Sequence, residues 1–234
     1  MIFFDIDATL LNHDQAERMG AIDFLKEYAN ELQLSDTEFV ELWYNLSDKY
    51  FEKFLAKELT FQEQRRMRIK DLFGHHLSSE QADNKFKDYL RLYKKNWSAF
   101  EDVIPCLQQL KQLGFRLGII SNGDYTQQLE KLESIGILNY FDCIITSSEI
   151  GIAKPNAAIF LEACNQANVQ AQDGYYVGDR LETDAIASEN SGMKGIWLNR
   201  IDKTTHPNVD VINSLSELVA LIDSNLCVSN PYVK

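Results

Sequence analysis

Hydrophobic and polar positions divide the chain into two parts with different periodicities. Between about residues 12 and 100, apolar and aromatic residues recur every three or four positions, which is the spacing of one helix face. After residue 103, short runs rich in β-branched and aromatic residues alternate with helical stretches. This alternation predicts a parallel β-sheet covered by helices. The strand-like runs are Phe115–Ile120, Cys143–Thr146, Tyr175–Val177, Ile196–Leu198 and Val209–Ile212.

The opening run Ile2–Phe4 has the composition of another buried strand, but the helical block separates it from the others. An insertion explains this order most simply, because the chain can leave an α/β core after its first strand and return before its second. We therefore expect an α/β core at residues 1–12 and 100–225, a helical domain at residues 13–99, and a C-terminal tail at residues 226–234.

The helical block contains an aromatic stripe and a basic cluster. Phe39, Trp43 and Tyr50 recur at helical spacing, so we expect them in the interior of the block rather than against a nucleobase. The basic cluster lies at Arg65–Lys70. Either it is a solvated helix face or one of its arginines reaches a substrate cleft, and we favour the solvated face.

Composition narrows the class of partner. The chain carries 23 basic and 35 acidic residues, a net charge of −12, which disfavours binding to a nucleic-acid polymer. No apolar run approaches the ~20 residues of a membrane-spanning helix, and the N-terminal residues lack the basic flank and long apolar stretch of a signal peptide. We expect a cytoplasmic protein with no membrane partner, and the sequence leaves its oligomeric state open.

Four polar motifs follow predicted strands, where parallel α/β sheets bind their ligands. Asp5, Asp7 and Thr9 come directly after the first strand. Paired carboxylates at a buried strand end are costly unless a cation holds them, although a turn capped by Asp and Thr side chains has the same pattern. Ser121 and Asn122 follow the next strand, where a hydroxyl and backbone N–H groups suit a phosphate oxygen or form a common turn.

The other two motifs add a positive charge and more carboxylates. Lys154 precedes Pro155, which favours an extended backbone at the lysine. This lysine either supplies a fixed charge beside a phosphoryl group or lies on the surface. Asp179 and Asp184 follow the run Tyr175–Val177, where they either ligate a hard divalent cation such as Mg²⁺ or stabilise a helix N-terminus. Taken together at strand ends, the four motifs indicate a phosphate-processing site.

In these four motifs, and in the helical insertion after the first of them, the chain resembles the haloacid dehalogenase superfamily of phosphohydrolases. The resemblance implies an α/β fold, with a Rossmann-like parallel sheet core and an inserted all-helical cap domain of the C1 type. It also implies a Mg²⁺-dependent phosphatase that acts on a small phosphorylated metabolite through an aspartyl-phosphate intermediate. One departure is Ala8, where glycine is usual, and its small side chain predicts little effect.

The resemblance implies a role for each motif residue. Asp5 is the nucleophile, and Asp7 is the general acid and base. The metal residues are Asp5, Asp7 through its backbone carbonyl, and Asp179, with Asp184 in or near the second shell. Asp7 also separates the chain from the metal-independent dehalogenases of the superfamily, which lack this aspartate. The phosphoryl group is positioned, and its charge neutralised, by Thr9, Ser121, Asn122 and Lys154.

The stretches around Ser121, Lys154 and Asp179 are most similar to the branch that contains pyrimidine 5′-nucleotidases. This likeness, which includes Glu149–Asn156 and Trp197–Arg200, implies a nucleoside 5′-monophosphate as the substrate, with a sugar phosphate as the alternative. A phospho-accepting signalling module is an alternative from another class, because it too phosphorylates an aspartate at a strand end. The long helical insertion and the wide separation of the motifs argue against such a module.

Overall fold

The computed structural model describes the backbone of residues 1–229 and the side chains of residues 1–223. The chain folds into two compact units. One is formed by residues 1–12 together with the chain from residue 98 onward, and the other is formed by residues 13–97. Of the segment expected to form a tail, residues 230–234 lie outside the described part.

The helical unit, which is described throughout, is built from four α-helices. They are α1 (His13–Glu27), α2 (Asp36–Leu55), α3 (Phe61–Phe73) and α4 (Ser79–Lys95). The last three begin at capping boxes on Ser35, Thr60 and Ser78. In each box the hydroxyl accepts a backbone N–H three residues later, and the Glu or Gln at that position accepts the N–H of the capping residue. These bonds fix where each helix starts.

An aromatic core holds the four helices together. Phe24, Phe39 and Trp43 are fully buried, and Tyr50 is nearly so. The ring centroids of Trp43 and Tyr89 lie 4.2 Å apart. The prediction that the stripe of Phe39, Trp43 and Tyr50 packs in the interior is confirmed.

The basic cluster on α3 is not a uniformly solvated helix face. Arg66 donates from Nε and Nη2 to the two carboxylate oxygens of Asp83, at 2.8 and 2.7 Å. Arg68 is only 8% exposed, because it follows Gln64 by one turn on the buried side of α3. The prediction of a solvated face is therefore wrong for Arg68.

Within residues 1–229, the other unit contains a six-stranded parallel sheet. Its strands are β1 (Ile2–Phe4), β2 (Leu117–Ser121), β3 (Cys143–Thr146), β4 (Tyr175–Gly178), β5 (Lys194–Leu198) and β6 (Asp210–Ile212). Their order is β3-β2-β1-β4-β5-β6, and every pairing is parallel. The central strands β1, β2 and β4 are buried along their whole length, as expected for unbroken hydrophobic runs. The predicted α/β fold, a Rossmann-like parallel core with a helical insertion, is confirmed.

Helices fill the connections between the strands, and one more helix follows the last strand. They are α5 (Val103–Gln112), α6 (Tyr125–Ser134), α7 (Ser147–Ile150), α8 (Ala157–Gln166), α9 (Ala187–Asn190) and α10 (Leu218–Ser229). A π-helical turn at Leu181–Ile186 precedes α9. Helix α10 extends into the segment that was expected to be a tail, as far as Ser229. In the part of the chain that the structure describes, no helix is both long and apolar enough to cross a membrane.

The register of the sheet brings three strand ends together. Strand β1 lies between β2 and β4, with Phe4 opposite Ile119 on one side and Val177 on the other. The residues that follow these three positions therefore emerge at the same carboxyl edge. Asp5 comes directly after β1, and Asp179 comes directly after β4. This edge is where open α/β sheets bind their ligands.

Candidate active site

A buried lysine joins two of the predicted aspartates. Lys154 Nζ donates to Asp5 Oδ1 at 2.8 Å, to Asp184 Oδ1 at 2.7 Å, and to the Tyr176 hydroxyl oxygen at 2.7 Å. The Tyr176 hydroxyl in turn donates to the Ile120 carbonyl at 2.8 Å. Burial lowers the pKa of Lys154, but the carboxylates of Asp184 and Asp5 outweigh burial and raise this pKa above its ordinary value. Lys154 therefore provides a fixed positive charge.

The backbone around Lys154 is held by Asn122, at the end of β2. The Lys154 N–H donates to Asn122 Oδ1 at 2.8 Å, and Asn122 Nδ2 donates to the Lys154 carbonyl at 3.0 Å. These bonds give Asn122 a clear positioning function, while its predicted contact with phosphate stays a prediction. The neighbouring Ser121 is buried, and its Oγ accepts a hydrogen bond from Gln128 Nε2 at 2.8 Å.

Three carboxylates gather beyond β1 and β4. Oxygens of Asp5, Asp179 and Asp184 all lie within 4.8 Å of one another. Burial, and then the neighbouring Asp5 and Asp184, raise the pKa of Asp179 to about 7. Burial also raises the pKa of Asp5. Asp184 is already engaged at both oxygens, since Oδ1 accepts from Lys154 and Oδ2 accepts the Arg180 N–H at 3.0 Å.

The end of β4 is shaped to hold these carboxylates. A Cβ atom on Gly178 would lie 2.5 Å from the carboxyl group of Asp184, so a larger residue would displace that carboxylate. The Asp179 carbonyl accepts a hydrogen bond from Trp197 Nε1 at 2.8 Å. Thr9 is fully buried, and its hydroxyl donates to Asp179 Oδ1 at 3.4 Å. The predicted residues Thr9, Asp179 and Asp184 thus lie in one group.

The loop after Asp5 is held in a conformation that favours glycine. Ala8 has a φ of 60°, in the left-handed region, where a non-glycine residue costs ~1 kcal/mol or more. The effect of alanine at position 8 is therefore backbone strain, and it does not come from the size of the side chain. Arg200 supports the loop by donating to the Thr9 carbonyl at 2.9 Å while it pairs with both oxygens of Asp102 at 2.9 and 3.0 Å.

Asp7 turns toward helix α6. Its two carboxylate oxygens lie 2.6 and 2.7 Å from Lys131 Nζ, and Gln128 Nε2 donates to Oδ2 at 3.3 Å. Sequence reasoning missed both α6 residues. A signal was present, because Gln128, Lys131 and Leu132 share one helix face, and two polar residues there occupy positions that normally face the interior.

Hydrogen bonds and ion pairs join six of the eight predicted site residues into one network at the carboxyl edge of the sheet. Lys154 is its centre, and Gln128 connects the Asp7 and Ser121 side chains to the carbonyl of Asn122. The six members are Asp5, Asp7, Ser121, Asn122, Lys154 and Asp184. Thr9 and Asp179 form a separate hydrogen-bonded pair, and an Asp179 carboxylate oxygen lies within 4.8 Å of oxygens of Asp5 and Asp184. The chemical role of each remains a prediction.

Residues 2–198 match the sequence family described as haloacid dehalogenase-like hydrolase. This chain belongs to that family. Its relatives include the glyceraldehyde 3-phosphate phosphatase of Methanopyrus kandleri, which is 31% identical over 85% of this chain and 83% of that protein. The human N-acylneuraminate-9-phosphatase is 28% identical over 97% of this chain and 94% of its own length. The predicted family is confirmed, and the prediction of a phosphatase agrees with the names of these relatives.

Solved structures of other haloacid dehalogenase-like hydrolases share the fold. A family hydrolase from Bacillus subtilis, crystallised with bound magnesium, superposes with a TM-score of 0.78 at 20% identity. The match covers 95% of the present chain and 97% of the Bacillus subtilis hydrolase. A family phosphatase from Thermococcus onnurineus gives a TM-score of 0.65 at 26% identity, covering 94% and 96% of the two chains. Both matches span the core and the helical insertion.

Proposed function

We propose that this hydrolase is a Mg²⁺-dependent phosphatase that cleaves a small phosphomonoester through a phosphoaspartyl intermediate on Asp5. The observation that carries the proposal is the buried charge group in which Lys154 contacts Asp5 and Asp184, with Asp179 beside them. A fixed cation next to crowded carboxylates suits a reaction whose catalysis depends on positioning and electrostatic stabilisation of a phosphoryl group. The names of the curated relatives support the same reaction class.

Asp5 supplies the attacking oxygen in the first step. Within the described part of the chain, the Asp5 carboxylate is hydrogen-bonded through Oδ1, which accepts from Lys154 Nζ at 2.8 Å. Oδ2 is therefore available to attack phosphorus while Oδ1 keeps its ion pair. The bond from Asp5 to phosphorus forms as the ester P–O bond breaks, and the leaving oxygen takes a proton from the Asp7 carboxyl group.

Water hydrolyses the intermediate in the second step. Asp7, now a carboxylate, accepts a proton from water as the water oxygen attacks phosphorus. The bond between Asp5 and phosphorus breaks, which restores the Asp5 carboxylate and releases inorganic phosphate. Lys154, together with the hydroxyls of Thr9 and Ser121, binds and orients the phosphoryl oxygens through both steps.

The three-carboxylate group has the donor chemistry that Mg²⁺ requires. Hard oxygen donors of Asp5, Asp179 and Asp184 lie within 4.8 Å of one another. Burial, and then the neighbouring carboxylates of Asp5 and Asp184, raise the pKa of Asp179 to about 7, so its charged form lacks a cation that would stabilise it. A bound Mg²⁺ ion would supply that charge and polarise a phosphoryl oxygen. Asp5 and Asp179, with the Asp7 carbonyl, would hold it, and Asp184 would mainly orient Lys154.

Magnesium affinity should fall as the pH decreases below about 7. A protonated Asp179 cannot ligate the ion, so Mg²⁺ must displace a proton whenever the pH lies below the Asp179 pKa of about 7. The affinity then decreases about tenfold for each pH unit and levels off above the pKa. The Mg²⁺-induced rise in unfolding temperature, measured across this pH range, checks this expectation.

The folding stability of the metal-free protein should decrease as the pH rises, whereas the Mg²⁺ affinity increases. The pKa of Asp179 is raised from 3.8 to about 7 in the folded state. This residue's contribution to folding stability is therefore fully present below pH 3.8 and is lost as the pH rises to about 7. Asp179→Asn should weaken the pH trend, of which Asp5 contributes the remainder, and should remove the Mg²⁺ shift, whereas Asp223→Asn, an exposed control on α10, should keep both. An Asp179→Asn protein that responds to Mg²⁺ like the wild type would refute the metal assignment.

A phosphorylated carbohydrate is the substrate class that we propose. The curated relatives are named for glyceraldehyde 3-phosphate and N-acylneuraminate 9-phosphate. The nucleoside 5′-monophosphate predicted from the sequence rested on the stretches around Ser121, Lys154 and Asp179. In the structure Ser121 and Lys154 belong to the hydrogen-bond network and Asp179 belongs to the three-carboxylate group, both of which would act on the phosphate common to every candidate substrate. Their resemblance to nucleotidases therefore does not distinguish the leaving groups.

A screen of phosphate esters with Mg²⁺ tests both the function and the substrate class. We expect kcat/KM for the best sugar phosphate to exceed that for the best nucleoside 5′-monophosphate by about tenfold or more. The reverse ranking would favour the nucleotide prediction and leave the phosphatase function intact. Failure to release phosphate from any ester, with Asp5→Asn protein as the background control, would contradict the function itself.

A further inference from the structure

Helix α6 links Asp7 to Ser121 through two buried polar side chains. Lys131 Nζ contacts both carboxylate oxygens of Asp7, at 2.6 and 2.7 Å. Gln128 Nε2 donates to Ser121 Oγ at 2.8 Å and to Asp7 Oδ2 at 3.3 Å. The Lys131 side chain is 5% exposed and that of Asp7 is 29% exposed. The lysine therefore reaches Asp7 from the protein interior.

The position of Lys131 has a cost that packing alone does not explain. An ammonium group loses its hydration when it is buried, and only an ion pair with good geometry offsets that loss. The adjacent Leu132 is fully buried, so this side of α6 faces the protein interior. Because Lys131 Nζ contacts both oxygens of Asp7, it fixes the direction in which the carboxylate points, and the Gln128 bond to Oδ2 restricts its rotation.

Gln128 is held by the hydrogen bonds that its side-chain NH₂ group donates, and not by bonds to its side-chain oxygen. Its Oε1 atom is buried and has no hydrogen-bond partner among the described residues. Its Nε2 group lies near three acceptors, which are Ser121 Oγ, Asp7 Oδ2 and the Asn122 carbonyl. An amide that leaves its own oxygen unsatisfied to place its NH₂ group here is costly. The arrangement therefore favours a specific function for the NH₂ group.

We propose that Lys131 and Gln128 are positioning residues that orient the Asp7 carboxylate toward the water that hydrolyses the phosphoaspartyl intermediate. The ion-paired carboxylate is the form of Asp7 that accepts a proton in that step, so its orientation controls the second step more than the first. Lys131 fixes the direction of the carboxylate, and Gln128 restricts its rotation and links it to Ser121. This inference rests on the proposed function, in which Asp7 activates water.

The test uses p-nitrophenyl phosphate, whose leaving group needs little protonation. Lys131→Met should slow hydrolysis of the intermediate while leaving phosphorylation of Asp5 nearly unchanged. We expect kcat and KM to fall together by about tenfold or more, with kcat/KM nearly constant. The same variant should show a burst of p-nitrophenolate and accumulate phosphoenzyme. Lys131→Arg, which keeps the ion pair, should restore kcat.

Three further variants separate this proposal from its alternatives. Lys111→Met removes the ion pair to Asp142 at the opposite end of β2, where Asp142 also accepts the Leu117 N–H, so it should behave like the wild type. Gln128→Ala should reproduce the Lys131→Met pattern more weakly and provides a second test if Lys131→Met folds poorly. Adding Lys131→Met to Asp7→Asn should cause no further loss of kcat, because Lys131 acts through Asp7.

The outcomes that overturn the inference differ from those that overturn the function. Unchanged kcat in Lys131→Met, or an equal fall in kcat and kcat/KM without phosphoenzyme, would refute the positioning role. Asp7→Asn with wild-type kcat would instead remove the acid–base role of Asp7 from the proposed function. A burst in Asp7→Asn but not in Lys131→Met would leave the function standing and reject this inference alone.

Discussion

Asp5→Asn should abolish turnover, with kcat reduced about 10⁴-fold or more. The amide keeps the size of the carboxylate but lacks the nucleophilic oxygen that forms the acyl phosphate. It also removes the anion that Lys154 holds at 2.8 Å. Phosphate release with saturating Mg²⁺ and the best ester from the substrate screen measures this effect.

The same substitution should stabilise the metal-free protein, which separates lost chemistry from lost folding. Burial raises the pKa of Asp5, so a neutral side chain suits this position better than a carboxylate beside Asp179 and Asp184. We expect the unfolding temperature of Asp5→Asn without Mg²⁺ to equal or exceed that of the wild type. Asp223→Asn, exposed on α10, is the matched control and should change neither kcat nor the unfolding temperature. Substantial turnover by Asp5→Asn would mean that the nucleophile is another residue.

Lys154→Met should damage both activity and stability. The variant leaves Asp5 and Asp184 buried without the cation that pairs with both. Removing one partner of a buried ion pair costs about 3–5 kcal/mol. It also removes the charge expected to stabilise the phosphoryl group, which we expect to lower kcat about 10³-fold. Urea-induced unfolding without Mg²⁺ and steady-state kinetics with Mg²⁺ measure the two losses.

A second substitution separates these two losses. Adding Asp184→Asn to Lys154→Met removes one of the two carboxylates that the first substitution leaves unpaired, so part of the lost stability should return. Activity should not return, since the positive charge is still missing. A Lys154→Met protein with wild-type stability would contradict the arrangement in which this lysine neutralises Asp5 and Asp184.

Much of the fold could be predicted from hydrophobic patterning, but not the start of every strand. Strand β3 has the bounds that were predicted, Cys143–Thr146, because a short apolar run is flanked by polar residues on both sides. Strand β2 was predicted from Phe115 but begins at Leu117. Apolar character continues through Phe115, whereas the ladder with β1 starts where Ile2 faces Leu117. Sequence pattern reports burial, and pairing decides where a strand begins.

The predicted site residues that were easiest to place are those that directly follow strands, such as Asp5, Asn122 and Asp179. Parallel pairing forces such residues to one edge, so Asp5 and Asp179 could be placed at the same edge from sequence alone, whereas their adjacency depends on the pairing of β1 with β4. Lys131 and Gln128 were missed because they lie inside α6, and their approach to Asp7 depends on how that helix is rotated. Arg68 was misassigned for the same reason, since a basic residue on the buried side of a helix cannot be recognised from charge alone.

The central claim is that Asp5 captures the phosphoryl group, and trapping that intermediate tests it most directly. The Asp7→Asn variant, in which hydrolysis should be slow, is mixed with Mg²⁺ and p-nitrophenyl phosphate, quenched in acid and digested for peptide mass spectrometry. We predict one phosphoryl group on Asp5, removable by hydroxylamine as expected for an acyl phosphate. Phosphate release without any phosphorylated peptide, or a phosphoryl group on a different residue, would contradict the account.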